Sequence, residues 1–380
     1  METTNQVLSY PKKFMEALSA PFVGREEEAK VITLALLSGE HVILVGEPGT
    51  AKSALARRAA ELLDAKFFMY LLTKYTEPSE LFGPLDINAL KQGVYKRVTK
   101  GKLLESEIIF LDEIFKASSA ILNTLLSVIN ERQYYNGDEI IQVPLRTLIS
   151  ASNEIPDEPE LEALYDRLLI RQFTKPIDQG YIKDLLKSAW SYEFNKKEKV
   201  EKIMSIQDLD RLYELIQKVD LSPILDKLIE LILLFEAKDI HISDRRKGKI
   251  PKLVATSAIL NGRLTAVEED LLVLKYIIPQ TQEDLVQVSG ILTEKIKSSE
   301  RYLKELEEIR SNLIKTKTLV QEEKDSEKLI EISKSLKPMK DRIIEINKET
   351  DNEKVRNIST ELLKEINDLG EKIRDKVGLA

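Results

Sequence analysis

The stretch "HVILVGEPGTAKS", residues 41–53, joins an apolar run to a turn that contains glycine and proline. Its first half is aliphatic without interruption, which is typical of a parallel strand that is buried on both faces. The letters from Gly46 to Ser53 fit the phosphate-binding pattern G-x-x-x-x-G-K-[ST], except that Ala51 stands where the pattern has glycine. In such a loop, backbone N–H groups and the positive end of the following helix surround a phosphate. We therefore predict a strand, a phosphate loop and a helix here.

Further apolar runs of the same kind predict three more strands, and helical periodicity fills the stretches between them. The strand runs are 66–71, 107–111 and 146–151, and the helical stretches are 51–63 and 116–131. This alternation is typical of an α/β fold, in which helices cover both faces of a parallel sheet. A separate hairpin is predicted at 133–140, because Asn136-Gly137 favours a type I′ turn with positive φ at both residues.

After residue 175 the sequence has no further strand-like apolar runs, and its periodicity predicts helices only. A helical lid is predicted from five segments, at 178–189, 206–219, 222–236, 251–261 and 266–277. From Leu285 onward, apolar residues recur at heptad-like spacing in three helices, of which the first continues through Leu313. These helices either close their own core as a three-helix bundle or form an intermolecular coiled coil. The predicted domains are 1–175 (α/β), 176–279 (helical lid) and 280–380 (C-terminal helical bundle).

Composition narrows the classes of function. The chain has 380 residues, a net charge of -7 and no cysteine, which excludes zinc–thiolate sites and cysteine nucleophiles. The acidic balance disfavours broad attraction to nucleic acid. The first eleven residues lack the pattern of a signal peptide, and no apolar run approaches the length of a membrane helix. We expect a cytoplasmic protein without a membrane segment.

The chemistry is carried first by the phosphate loop and by a pair of carboxylates. Nucleotide contacts are expected from the loop and the start of its helix: Gly46, Glu47, Pro48, Gly49, Thr50, Ala51, Lys52, Ser53 and Ala54. Lys52 would reach the phosphates of ATP, and Ser53 would ligate Mg²⁺. The run "EIIFLDE" ends a buried strand on Asp112-Glu113. Because ligands bind at the carboxyl ends of such strands, Asp112 is expected in the Mg²⁺ shell and Glu113 as the general base.

Three polar residues are candidates to complete the site. Asn153 ends the strand "TLISAS" and could bond the γ-phosphate or the attacking water, or it could be an ordinary strand-end cap. Arg167, in "LYDRLLIR", is expected to serve the site of a neighbouring subunit, with Arg171 as the alternative. Arg245, at the start of a lid helix, could reach back to the phosphates of its own chain, or it could form a surface salt bridge.

These elements, in this order and followed by a helical lid, resemble the AAA+ ATPases. The hairpin before the Asn153 strand and "FGPLDINALKQGVYKRVTKG" at 82–101 resemble insertions of one clade of that superfamily. Within the clade the chain is similar to the MoxR family, and particularly to its RavA branch, over roughly residues 18–280. The motifs are "TEPSELFGPLDI", "FLDEIFKASSAILNTLLSVINERQYYNG", "ASNE", "LYDRLLIR" and "SDRR…NGR".

The resemblance implies further properties. Ala before Lys is usual in MoxR-type loops, and we expect Ala51 to have helical φ/ψ, where alanine costs nothing. The segment with Val23 and Gly24 resembles the part that contacts adenine, although an ordinary turn would read the same. The family implies an ATP-driven homo-hexamer that remodels client proteins with a partner bearing a von Willebrand factor A domain. RavA proteins carry a triple-helical domain interrupted by a β-rich module, and this sequence lacks that interruption.

Two other functions stay open from the sequence. A nucleic-acid motor or loader would use the basic tract at 245–249 and the hairpin aromatics Tyr134 and Tyr135. A nucleotide-dependent scaffold that rarely hydrolyses would not need the set Asp112, Glu113, Asn153 and Arg167. The acidic net charge disfavours the first alternative, and the presence of those four residues disfavours the second.

Overall fold

The architecture was derived from a computed structural model that describes residues 4–156, 158–194, 200–322, 325–350 and 352–377. The chain forms two compact units, Met1–Val288 and Ser289–Ala380. Within the described residues, no helix combines the length and the apolarity needed to cross a lipid bilayer.

A parallel sheet forms the centre of the first unit. Its strands are β1 (Val42–Gly46), β2 (Phe67–Leu71), β3 (Ile108–Asp112), β6 (Thr147–Ser152) and β7 (Ile170–Thr174), arranged in the order β2-β3-β6-β1-β7. Every neighbouring pair runs parallel. Residues 42–45 and 108–111 are buried throughout, because helices cover both faces of the sheet. The predicted α/β fold class is confirmed, with four of the strands where the apolar runs predicted them.

The α-helices of this unit that come before the lid region precede or separate the strands. They are α1 (Thr4–Ser19), α2 (Glu26–Ser38), α3 (Lys52–Leu63), α4 (Pro78–Phe82), α5 (Ile87–Lys91), α6 (Ser119–Glu131) and α7 (Pro159–Arg167). The crossovers leave the carboxyl ends of all sheet strands on one edge and the amino ends on the opposite edge. We call these the carboxyl edge and the amino edge.

A two-stranded hairpin, β4 (Gln133–Asn136) with β5 (Glu139–Gln142), lies outside the sheet. The predicted turn was wrong by one residue, because Asn136 pairs with Glu139 and the loop is Gly137-Asp138. Only Gly137 has positive φ (67°), and a Cβ there would meet the carbonyl oxygen of Tyr95 at 2.7 Å. The side chain of Asn136 instead accepts a hydrogen bond from the Arg97 backbone N–H and donates to its carbonyl. The hairpin is thereby fastened to the insertion at 82–101.

The lid region is helical, as predicted, with two local corrections. It contains α8 (Ile182–Phe194), α9 (Ile206–Ile216), α10 (Leu225–Glu236) and α11 (Asp244–Leu260). The helix predicted at 251–261 begins earlier, because Ser243 caps it by accepting a hydrogen bond from the Arg246 N–H. The segment predicted at 266–277 is a 3₁₀ helix, Glu268–Tyr276, and not an α-helix.

The last helices are α12 (Gln282–Lys295), α13 (Ser299–Glu322), α14 (Ser326–Glu349) and α15 (Glu353–Val377). The continuous first helix predicted from Leu285 was wrong. The chain breaks before α13, where the hydroxyl of Ser298 accepts a hydrogen bond from the Arg301 N–H and caps the new helix. Buried side chains of α13, α14 and α15 form one core, so the three helices close on themselves. The two predicted domain boundaries, at 175/176 and 279/280, remain predictions.

Candidate active site

The phosphate loop leaves β1 at the carboxyl edge. A Cβ at Gly46 would lie 2.1 Å from the carbonyl oxygen of Thr174 in β7, so no other residue fits without displacing that strand. The Lys52 Nζ atom donates to the carbonyl oxygens of Gly46 (2.6 Å) and Glu47 (2.9 Å). Lys52 forms no ion pair among the described residues, so its buried charge is available to an anion held by the loop.

Ala51 corrects the prediction of a helical conformation. Its φ and ψ are 62° and 17°, the left-handed region, and α3 begins only at Lys52. The loop reverses direction immediately before the helix, and this turn requires positive φ. The glycine of the general pattern is thereby explained, and the methyl group of Ala51 carries a local strain of roughly 1–2 kcal/mol.

The two carboxylates and the amide meet beside this loop. Strand β6 lies between β1 and β3, so the residue after β6 lies between the phosphate loop and the end of β3. The Asn153 amide donates to Glu113 Oε1 at 2.6 Å, and Lys116 Nζ lies 3.3 Å from Glu113 Oε2. The Asp112 carboxylate accepts from the Glu113 backbone N–H at 3.1 Å. Glu113, also in the left-handed region (φ 53°), thus has its carboxylate held on both oxygens.

The electrostatics of the site centre on Lys52. Desolvation lowers its pKa, and the charges of Asp112 and Glu113 act in the opposite direction. No group of three or more His, Cys, Asp or Glu side chains that could hold a metal occurs in the described part of the chain. Ser53 and Asp112 are oxygen donors of the type that Mg²⁺ prefers, and a nucleotide-bound Mg²⁺ takes its other ligands from phosphate and water. The donor set therefore fits a Mg²⁺ ion that binds together with a nucleotide.

The segment expected to contact adenine lies against the beginning of the lid region. A Cβ built on Gly24 (φ 67°) would meet the side chains of Ile177 and Tyr181 at 3.8 and 3.9 Å. The adjoining Arg25 is buried and donates to the Lys175 carbonyl at 2.8 Å. Gly46 of the phosphate loop lies against Thr174. This segment and the phosphate loop therefore both contact the stretch 174–181, which follows β7 at the carboxyl edge. Val23 lies within this segment.

The two remaining candidates lie together at the amino edge. Arg167 ends α7 just before β7, and Arg245 Nη1 lies 3.5 Å from the Asp166 carboxylate. A cavity of about 550 Å³ at this edge is lined by both arginines and by Asp166. The structure therefore does not bring Arg245 to the phosphate loop of its own chain, as the sequence suggested it could. It brings Arg245 beside Arg167.

Arg167 is only partly satisfied in this chain. Its Nη1 donates to the Ala163 carbonyl at 2.7 Å, while its Nε is buried and has no hydrogen-bond partner among the described residues. Desolvation and the nearby charge of Arg245 lower its pKa, against the opposing effect of Asp166. An anion placed beside Arg167 would stabilise the charged form of its guanidinium.

Arg171, the alternative candidate, is a structural residue. It is buried, it donates to the carbonyls of Pro279 and Tyr165 at 3.0 Å each, and its guanidinium lies 3.8 Å from the Tyr165 ring centre. An arginine enclosed in this way cannot extend to another subunit. Arg167 is therefore the better candidate for a residue that acts outside its own chain.

Sequence reasoning missed the residues that hold the candidates in place. Asp166 accepts a hydrogen bond from Ser243 (3.2 Å) and pairs with Arg245, joining the end of α7 to the start of α11. Arg246 is 0% exposed and donates to the carbonyls of Leu169 (2.8 Å) and Ile277. Desolvation lowers the pKa of Arg246 to about 9. "YDR" and "SDRR" give residue types but no sign that the two segments meet.

Comparisons with known proteins give consistent results. Residues 11–214 match the family described as "MoxR domain in the MoxR-vWA-beta-propeller ternary systems", and residues 217–292 match an AAA lid domain. A protein of Methanocaldococcus jannaschii described as uncharacterised is 39% identical over 89% of this chain and 93% of its own length. Chaperone MoxR1 of Mycobacterium tuberculosis is 27% identical over 51% of this chain and 50% of its own.

A solved structure has the same fold. The crystal structure of a protein assigned as an ATPase from Cytophaga hutchinsonii covers 77% of this chain and 96% of its own length. Its TM-score is 0.63 at 23% sequence identity. The covered parallel sheet, the helical lid and the helical C-terminal region together form an AAA+ architecture.

Proposed function

The chain belongs to the MoxR family of AAA+ ATPases, and we propose that it hydrolyses MgATP in a homo-hexameric ring that remodels or matures partner proteins. The observation that carries this proposal is the division of the candidate catalytic groups between two edges of one sheet. A phosphate cradle and a held carboxylate lie at the carboxyl edge, whereas the arginines lie at the amino edge. A second copy is needed to bring the two sets together.

At the carboxyl edge, residues 46–54 would bind the phosphates of ATP through backbone N–H groups and the Lys52 ammonium. Val23 and Gly24 would contact adenine. Ser53 and Asp112 would hold Mg²⁺, which would neutralise phosphate charge when bound. Glu113 would orient the attacking water and accept its proton, and the bond from Asn153 supports this role because it fixes the carboxylate.

At the amino edge, Arg167 would point into the nucleotide site of the next subunit and stabilise charge on the transferred phosphoryl group. Its partly exposed side chain, in contrast to the buried Arg171, supports this role. Arg245, which Asp166 holds beside Arg167, would act in that same neighbouring site and not in its own. This arrangement makes an isolated chain able to bind ATP but slow to hydrolyse it.

The hairpin and the insertion fastened to it are the surface on which we propose that clients are engaged. Tyr95, Tyr135 and Ile140 are all exposed there. Tyr135 and Ile140 are direct cross-strand partners, so the pair forms a small apolar platform at the hairpin. Exposed aromatic and aliphatic side chains of this kind are suited to contact partly unfolded protein.

The partner would be a protein with a von Willebrand factor A domain, which the description of the matched family names. We also retain the RavA-like branch as a proposal. It is supported by the three-helix core of α13, α14 and α15, while the partner-binding module of RavA proteins is not carried over. A cytoplasmic location is proposed with it.

A nucleic-acid motor loses its main support in the structure. Each cation of the basic tract is paired within the chain: Arg245 and Arg246 with Asp166, Lys247 with Glu236, and Lys249 with Glu40. Tyr134 is buried and stacks on Phe82, so only Tyr135 is available at the hairpin. With a net charge of -7, no basic and aromatic surface of the required kind is formed by these residues.

The test is complementation between two inactive variants. Glu113→Gln lacks the base, and Arg167→Ala lacks the residue given to the neighbour. In a mixed ring, an Arg167→Ala subunit beside a Glu113→Gln subunit forms one site with both groups intact. We expect each variant alone to be inactive and a 1:1 mixture to regain ATP hydrolysis. If the mixture stays as inactive as its components while both assemble, Arg167 does not act between subunits and the proposed function is wrong.

A further inference from the structure

Two lid helices expose apolar residues at the same spacing, i, i+4 and i+8. Such a row extends about 12 Å along a helix. The α8 stripe is Ile182, Leu186 and Trp190, and the α10 stripe is Leu225, Ile229 and Leu233. Leu186 is 65% exposed and Leu233 is 60% exposed. A helix of a soluble protein normally turns such a row toward a core, so exposed rows indicate surfaces that are covered in an assembly.

The α10 helix makes this contrast within a single element. Leu228, Leu231 and Phe235 are buried and anchor one side of the helix to the lid. The α10 stripe is therefore a second apolar face and is not needed to hold the helix in place.

The α8 stripe lies next to the nucleotide site. The helix follows the 3₁₀ segment that ends at Tyr181, whose ring lies beside Gly24. Further along, the hydroxyl of Ser188 donates to the Pro21 carbonyl at 3.3 Å. Both contacts join α8 to the segment proposed to hold adenine.

The α10 stripe lies on the side of the amino-edge arginines. Glu236, at the end of α10, pairs with Lys247 at 2.6 Å. Lys247 is two residues after Arg245 in the first turn of α11, and Leu233 is one turn before Glu236. The α10 stripe therefore lies close to Arg245. A neighbouring subunit that receives Arg245 would also lie close to the α10 stripe.

Charges beside the stripes are complementary. Lys183 and Lys187 each follow a residue of the α8 stripe by one position, and Asp226 and Glu230 do the same on α10. All four side chains are exposed. Glu230 also forms a salt bridge with Lys227 of the same helix. When two helices meet face to face, flanks at the same offset lie on the same side only if the helices run antiparallel. Opposite charges at such flanks select the partner and its orientation.

We propose that the α8 stripe of one subunit packs antiparallel on the α10 stripe of the next subunit. This inference rests on the proposed function, because delivery of Arg167 and Arg245 to a neighbour brings the two stripes to the same junction. The contact pairs two different patches, which is the head-to-tail type that closes rings. In antiparallel register, Ile182 faces Leu233 and Trp190 faces Leu225.

The absence of cysteine makes the junction directly testable by disulfide formation. Single variants Ile182→Cys and Leu233→Cys are mixed 1:1 with MgATP, oxidised and separated on a denaturing gel. We expect a cross-linked dimer from the mixture, none from either variant alone, and a ladder of multimers from the double variant. Disulfides form only when the two Cβ atoms lie about 3.5–4.5 Å apart, so the result is specific for register.

Matched pairs define the orientation and the face. Ile182→Cys with Leu225→Cys reports the parallel orientation, and Asp184→Cys with Leu233→Cys reports the opposite face of α8. We expect both to cross-link at least about tenfold less, because their Cβ atoms are outside disulfide range. Dominance of either pair, or dimers formed by Ile182→Cys alone, would overturn the proposed junction.

A charge placed in the stripe gives a second measurement. Leu186→Asp should raise the protein concentration needed for assembly by at least about tenfold, because a buried carboxylate would lack a partner. Leu319→Asp, at an exposed leucine of α13, is the control and should leave assembly unchanged. If rings form and complement normally while neither Leu186→Asp nor the cysteine pairs have an effect, the stripes serve another partner and only this inference fails. Failure of complementation with intact cross-links would instead remove the proposed function.

Discussion

The two edges of the same sheet differ in what they lack. The carboxyl edge gathers Lys52, Glu113 and Asn153 around a phosphate loop, but none of the candidate arginines lies there. The amino edge gathers Arg167 and Arg245 around Asp166, but it has no phosphate cradle. Under the proposed function each edge supplies half of a hydrolytic site, and the two edges lie at opposite ends of the strands because all strands are parallel. Such a chain would gain its activity by assembly.

The largest expected effect is at the amino edge. Arg167→Ala should lower the turnover number of the ring by about 10³-fold or more, as is found when an arginine acting on phosphoryl transfer is removed. ATP binding by the isolated chain should not change, because Arg167 is remote from its own phosphate loop. Steady-state hydrolysis and nucleotide binding are the two measurements.

Arg146→Ala is the control for Arg167, since Arg146 lines the same cavity and pairs with Asp210 at 2.5 Å. Its turnover should stay within about twofold of wild type, the range that a surface ion pair of at most about 1 kcal/mol permits. Equal losses from both variants would mean that the edge contributes general charge and not a specific arginine.

The next effect compares the two ends of one strand. Glu113 follows β3 at the carboxyl edge and Glu107 precedes it at the amino edge. Glu113→Gln should reduce turnover roughly 10²–10⁴-fold with ATP binding retained, since the amide cannot accept the proton of the attacking water. Glu107→Gln should retain turnover, because that carboxylate accepts a hydrogen bond from the Lys66 N–H, which an amide oxygen can also accept. Persistent hydrolysis by Glu113→Gln would remove Glu113 from the role of base.

Sequence reasoning reached the carboxyl edge more completely than the amino edge, for a physical reason. Gly46–Ser53 and Asp112-Glu113 are local signals, in which an apolar strand is followed at once by the groups that it delivers. Asp166 and Arg245 are 79 residues apart in the chain. No periodicity of the sequence predicts that these two segments meet. The conformation of Ala51 was mispredicted because helix propensity describes an interior position, while the backbone reversal before α3 decides this one.

The same limit applies to the C-terminal helices. The heptad-like spacing stops at Ile296 and resumes at Leu303 after the polar residues 297–301, and the prediction joined both parts into one helix. Leu285 packs on the core of the first unit, whereas Leu313 belongs to the core of the bundle. A repeat of apolar residues does not tell which core each residue enters, and the cap at Ser298 is visible only once the break is known.

A smaller effect concerns the free energy of unfolding, and it arises from a residue of the amino edge. His41 is fully enclosed at the amino edge, where desolvation and then the charge of Arg132 hold its pKa well below the usual value. Below about pH 6.5 the unfolded chain binds a proton that the folded chain does not, so the free energy of unfolding falls on acidification. The slope from this residue is at most about 1.4 kcal/mol per pH unit. It should disappear in His41→Gln.

The second histidine provides the control for this prediction. His241 is exposed, and His241→Gln should keep the slope of the wild type. Urea unfolding of the three proteins between pH 7 and pH 5 measures the difference, since the carboxylates contribute equally to all of them. Identical slopes in the wild type and in His41→Gln would contradict burial of a neutral imidazole.

The smallest effect returns to the strained residue of the phosphate loop. Ala51→Gly should relieve the left-handed strain of roughly 1–2 kcal/mol and lose part of that gain to the greater freedom of glycine in the unfolded chain. A net stabilisation of about 0.5–1 kcal/mol is expected, with ATP binding retained. Ala54→Gly, three residues later in the first turn of α3, should instead destabilise by about 0.5 kcal/mol because glycine is a poor helix former. Opposite signs from the same substitution, measured by urea unfolding, would locate the strain in the turn. If both variants were destabilised alike, residue 51 would belong to the helix, and the predicted helical conformation would be restored.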